Sequence, residues 1–70
     1  MNWTATSARE YEAIKKILWF KIHFRIVNLC TDRYEYWYVF RNGKLVYDAH
    51  CSENAIKLFI EYHPFAEKYV

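Results

Sequence analysis

Polar and apolar positions change rhythm along this chain. From residue 8 to residue 18, Tyr11, Ile14, Ile17 and Leu18 recur at helical spacing, with Arg9, Glu12, Lys15 and Lys16 pointing away. Ser7-Ala8-Arg9-Glu10 has the S-x-x-E form of a capping box. Glu12 and Lys16 make a favourably ordered i,i+4 pair. The pattern predicts a helix over residues 8–18.

Period two follows. Phe20, Ile22, Phe24 and Ile26 alternate with Lys21, His23 and Arg25, which predicts a half-buried strand with one apolar and one basic face. Asn28 to Arg33 (NLCTDR) is the next reversal. The stretch YEYWYVFRNGKLVY then reads as a hairpin, because Asn42-Gly43 suits a two-residue turn whose central residues need positive φ. A regular ladder from that turn pairs Arg41 with Lys44, Phe40 with Leu45, Val39 with Val46, Tyr38 with Tyr47 and Trp37 with Asp48. It sorts Tyr36, Tyr38, Phe40, Leu45, Tyr47 and Ala49 onto one face, and Glu35, Trp37, Val39, Arg41, Lys44, Val46, Asp48 and His50 onto the other.

Ser52 and Glu53 suit the start of a last helix, with Ala55, Ile56, Phe59, Ile60 and His63 on its apolar stripe, widened by Leu58 and Tyr62. Pro64 disfavours helix at His63. The expected fold is α+β, in the order α-β-β-β-α over residues 1–70 as one domain. Its three-stranded antiparallel sheet has the helices packed on one face.

Two helices on one face leave the other face open, so the hairpin's rings divide between core and surface. A two-residue turn at Thr31-Asp32 aligns Ile26 with Trp37 and Phe24 with Val39, burying Trp37 and exposing the tyrosines. A shift by one residue buries the Tyr-rich face and exposes Trp37, Arg41, Lys44 and Asp48 beside Lys21, His23 and Arg25. The second arrangement is preferred because it buries more apolar surface.

Composition supports a folded chain. Seventy residues bury only about 60% of the surface the unfolded chain exposes, and here aromatic residues, 21% of the total, supplement the core. The net charge of +2 is too mild to mark a nucleic-acid binder by itself. Two cysteines, Cys30 and Cys51, do not make a disulfide framework. With no secretory signal and no apolar run of membrane-spanning length, the expectation is a cytoplasmic protein with no membrane partner.

Reaction chemistry finds no constellation. His50-Cys51 with Cys30 and His23 or His63 lacks the C-x₂₋₄-C or H-x₃₋₅-H spacing of a zinc site, and adjacent strand residues face opposite ways, which separates His50 from Cys51 as base and nucleophile. Gly43 is used by the turn, so no phosphate loop remains. No catalytic residue, metal or cofactor is expected.

The element order, with the VFRNGKLVY hairpin and a short run to Ser52, resembles the layout of the double-stranded-RNA-binding domain. That family opens its last helix with a lysine cluster. This chain has Ser52-Glu53-Asn54-Ala55-Ile56-Lys57 there, and Asn28–Arg33 stands where the family has Gly-Pro-x-His. The resemblance implies topology and does not extend to RNA binding. In size and style the chain is also similar to small phage-encoded inhibitors, including anti-CRISPR proteins, which act by occupying a larger host complex.

The function expected is therefore a non-enzymatic protein-binding module with Trp37, Arg41, Lys44, Tyr47, Lys21, His23 and Arg25 at the contact. Tyr, Trp and Arg are the residues enriched at binding hot spots. The alternative is RNA or single-stranded nucleic-acid binding through a basic-aromatic sheet face. A homodimer formed through strand edges is compatible with either.

Overall fold

Residues 10–17 read E-Y-E-A-I-K-K-I, and the same letters that suggest a helix also alternate. Tyr11, Ala13 and Ile17 fall on one side, with Glu10, Glu12 and Lys16 on the other. The computed structural model, which describes residues 1–29 and 35–70, resolves this ambiguity in favour of strand. The order is β1 (Thr4–Ser7), β2 (Glu10–Ile17), β3 (Phe20–Asn28), β4 (Tyr36–Arg41), β5 (Lys44–His50) and α1 (Glu53–Tyr62). The five strands form one antiparallel meander in sequence order.

The α-β-β-β-α order with a three-stranded sheet is thus corrected. Residues 8–18 are a turn and a strand because a neighbouring strand is within reach. Every residue of β2 pairs with β3, from Glu10↔Val27 to Ile17↔Phe20, across the two-residue Leu18-Trp19 turn. Ladder pairing and burial of Ala13 outweigh the helix preference of Glu, Ala and Lys. Ser7 makes no capping box; its hydroxyl accepts from the Arg9 N–H at 3.4 Å inside the β1–β2 turn.

Three expectations agree with the structure. The strand expected from Phe20 to Ile26 is present and runs on to Asn28, with Ile22, Phe24 and Ile26 buried on one face. Asn42 and Gly43 turn the β4–β5 hairpin with φ of 53° and 81°. Ser52 caps α1 by accepting from the Ala55 N–H at 3.2 Å, and the helix ends at His63, just before Pro64. Asn28, expected to open a reversal, is instead the last residue of β3 and pairs with Trp37. The rest of the expected Asn28–Arg33 reversal and its Thr31-Asp32 turn fall mainly on residues 30–34, which lie outside the described residues.

The preferred sorting of the hairpin faces is also corrected. Ile26 pairs with Val39 and Phe24 with Arg41, which puts Trp37 and Val39 on the side of Ile22, Phe24 and Ile26. This is the parity of the less favoured arrangement, two residues further along. In β5 a bulge intervenes. Phe40 faces Leu45 but Val39 faces Tyr47, so Val46 is the extra residue. Beyond it, Tyr47 and Ala49 join Trp37 on the inner face, whereas a regular ladder would have put them with Tyr36 and Tyr38.

Helix α1 covers that inner face. Ile56 and Ile60 are buried with Ile22, Phe24, Ile26, Trp37, Val39 and Ala49 in one core. Trp37 is the largest fully buried side chain; its indole N–H donates to the Cys51 carbonyl at 3.0 Å, and its ring packs against Tyr11. One helix covers one side of five strands. No residue on the opposite side is buried among those described.

Candidate functional site: the uncovered sheet face

Side chains on the outer face meet in rows set by the strand register. One row runs Glu10, Val27, Tyr38, Asp48; the next runs Glu12, Arg25, Phe40, Leu45. Arg25 sits near the centre. Its guanidinium lies 3.1 Å from Glu10 and 5.3 Å from the centre of the Phe40 ring, directly across the β3–β4 ladder. A paired, stacked arginine is held in one orientation before any partner arrives.

The aromatic part of the face is similarly braced. Tyr36 and Tyr38 meet edge to face with ring centres 5.8 Å apart, and Tyr36 lies against His50 on β5. The Tyr36 hydroxyl donates to Asp48, and that hydrogen bond to a carboxylate raises the phenol above its ordinary pKa. The hydroxyl therefore remains a neutral donor through the physiological range.

Charge is balanced at the centre of the face and unbalanced at one end. Glu10 meets Arg25, and the Glu12 carboxylate is 3.7 Å from His23 Nε2. Lys16 and Lys21 face each other near the β2–β3 turn, and among the described residues neither is in an ion pair.

The seven residues expected at a contact divide between the two sides of the sheet. Lys21, His23 and Arg25 come together on the outer face as expected. Trp37, Arg41, Lys44 and Tyr47 lie on the helix side. Trp37 is wholly buried and offers no surface to a partner. Arg41 binds the C-terminal segment: Nη1 donates to the carbonyls of Pro64 at 3.1 Å and Ala66 at 3.3 Å, and Nη2 is 3.7 Å from Glu67. Tyr47 is half-buried edge-on to Phe59, and burial pushes its phenol up to about 12. Lys44 is exposed at the turn, paired with Arg41 in the ladder.

The preferred reading of the sequence buried Tyr36, Tyr38, Phe40 and Leu45, and only the less favoured arrangement exposed them as the aromatic-apolar half of the outer face. The usable signal was Val39, a small β-branched residue that fits between Ile26 and the helix better than Tyr38 does. The Val46 bulge hid it by making Tyr47 seem a neighbour of Tyr38.

Asn42 ties this face together at its edge. Its side-chain oxygen accepts from the His23 N–H at 3.0 Å, while its own N–H donates to the His23 carbonyl at 2.8 Å. The hairpin turn is therefore clamped to β3, which holds Phe40 over Arg25. Among the described residues no three His, Cys, Asp or Glu side chains gather as metal ligands, and no helix is long and apolar enough to cross a membrane. Compared with protein-family models, curated proteins and solved structures, the chain matches none.

Proposed function

We propose that this chain is a non-enzymatic protein-binding module whose contact surface is the outer sheet face around Arg25, Tyr38 and Phe40. The observation that carries this reading is the uncovered row in which Arg25 is stacked on Phe40 and anchored by Glu10. Aromatic and arginine side chains fixed by their neighbours lose little rotamer freedom on binding, which is what a hot spot requires. The face alternates carboxylates with cations, as suits a protein surface of mixed charge. A binder of this kind acts by occupying its partner, which is also how a steric inhibitor works.

The nucleic-acid reading draws on the same face, because Lys21, His23 and Arg25 share it with Tyr36, Tyr38 and Phe40, and Arg25 lies over Phe40. Glu10, Glu12 and Asp48 on that face weigh against it, since a phosphate backbone is repelled by them and Arg25 is already engaged.

The test places a photo-crosslinking phenylalanine analogue at Tyr38 and, as a control, at Leu58 on the exposed side of α1. The expected result is saturable crosslinking to one protein from Tyr38 alone, competed by the unlabelled chain and weakened by Arg25→Ala. Equal labelling from both positions would sink the proposal. So would saturable RNA or single-stranded DNA binding that falls steeply with salt and is lost in Tyr38→Ala.

A further inference from the structure

The end of the β2–β3 hairpin leaves the rest of the sheet. β1 pairs with β2 only as far as Glu12, and β4 reaches along β3 only to Phe24, with Asn42 bonded to His23. Beyond these points the two strands pair only with each other among the described residues. At the tip, Leu18 and Trp19 are 82% and 89% exposed. Phe20 beside them is also exposed.

Two features of this tip oppose folding stability. Leu18 has a φ of 53°, a left-handed conformation that Gly or Asn adopts readily and leucine only at a cost. Lys16 stands directly across the ladder from Lys21, a like-charge pairing that weakens a hairpin. Lys15 adds a third cation on the opposite side of the strand. Among the described residues no carboxylate neutralises any of the three.

We propose that the Leu18-Trp19 tip anchors this protein to an anionic lipid surface, the two side chains entering the interfacial layer while Lys15, Lys16 and Lys21 meet the headgroups. A convex two-residue turn has no concavity to receive a ligand, but it can enter a layer that yields around it. Tryptophan favours the headgroup level of a bilayer, and lysine stems extend alongside apolar surface while the ammonium stays wet. Lysine is depleted at protein–protein interfaces, so three lysines around the tip favour lipid over a protein pocket. The anionic layer also relieves the Lys16–Lys21 repulsion. One small apolar tip with three cations gives weak, reversible, charge-dependent attachment.

This inference runs against the expectation of no membrane partner and stands apart from the sheet-face reading, since a chain held by its tip still presents Tyr38 and Arg25. The full chain is sedimented with vesicles of phosphatidylcholine alone and of phosphatidylcholine with phosphatidylserine. Binding is expected only with phosphatidylserine present, weakening as salt rises. Trp19→Ala should reduce it about tenfold, and Lys16→Gln or Lys21→Gln about fivefold each. Leu18→Gly should reduce it too, and because glycine accepts the positive φ this variant keeps its fold, as circular dichroism will check. Tyr38→Ala and Arg25→Ala should leave vesicle binding unchanged, which separates this test from that of the sheet face.

Absence of binding at low salt would overturn the proposal, as would equal binding to phosphatidylcholine alone. It would also fall if Trp19→Ala left vesicle binding intact while abolishing crosslinking to a protein.

Discussion

Two tryptophans of this chain occupy opposite environments. Trp37 is 0% exposed with its indole N–H bonded, and Trp19 is 89% exposed at a turn. Truncating the first leaves a cavity and an unpaired carbonyl, so Trp37→Ala should lose about 3–5 kcal/mol. Trp19→Ala should stay within about 0.5 kcal/mol. Urea unfolding followed by circular dichroism measures both, and similar losses for the two would contradict the assigned burial.

A second residue-scale consequence concerns Tyr47. Its folded-state pKa, about 12, lies above the ordinary tyrosine value, so the unfolded chain ionises first. The stability it contributes is complete below that ordinary value, about pH 10, and is lost as pH rises from there towards 12. Between about pH 9 and about pH 11 the urea midpoint should fall less for Tyr47→Phe than for the parent chain. It should not become flat, because Tyr11, Tyr36 and Tyr69 are raised as well. These environments were only partly legible: alternation placed Trp37 with Val39 and Arg41, but nothing local marked Tyr47 as their companion.

At the scale of elements, the decisive feature is one unpaired residue in β5. Removing Val46 would let Leu45 precede Tyr47 directly and would convert the observed pairs, Phe40↔Leu45 and Val39↔Tyr47, into a regular ladder. All inner-face residues would keep their side. Deletion of Val46 should therefore preserve the fold at a cost of about 1–2 kcal/mol for its half-buried side chain and the changed local twist. A deletion variant that fails to fold would show that the bend at Val46 is needed to bring β5 against α1. Strand β2 shows the same limit of local reading. Its composition favours helix, and its pairing with β3 across Leu18-Trp19 lies in the contact between segments. By contrast α1 was readable throughout, because the Ser52 cap, the apolar spacing and Pro64 are all local signals.

At the scale of the whole molecule, Arg41 joins the sheet to the C-terminal segment. Its two hydrogen bonds to the Pro64 and Ala66 carbonyls hold residues 64–67 against the hairpin, while Tyr69 returns to Phe59 with ring centres 4.8 Å apart. Arg41→Ala should cost about 1–3 kcal/mol and open this segment to limited proteolysis, without weakening crosslinking from position 38. Loss of crosslinking with no change in proteolysis would restore Arg41 to the contact surface. The arrangement also separates labour between the two sides of the sheet. The helix side stores the stabilising rings, and the outer side keeps braced, half-exposed ones.

The sequence by itself determined the strand from Phe20 to Ile26, the Asn42-Gly43 turn, the capped helix after Ser52, and the presence of more aromatic surface than one side of a sheet can bury. Each of these rests on residues within one or two turns of chain, where period, φ preference and capping act directly. Only the tertiary structure decided that residues 10–17 are a strand, that Trp37 rather than Tyr36 and Tyr38 faces the helix, and that Lys21, His23 and Arg25 share a face with Tyr36, Tyr38 and Phe40. Those outcomes depend on which strands pair and in what register, and in a sheet a shift of one residue exchanges inside for outside, as the extra Val46 does for Tyr47 and Ala49 in β5.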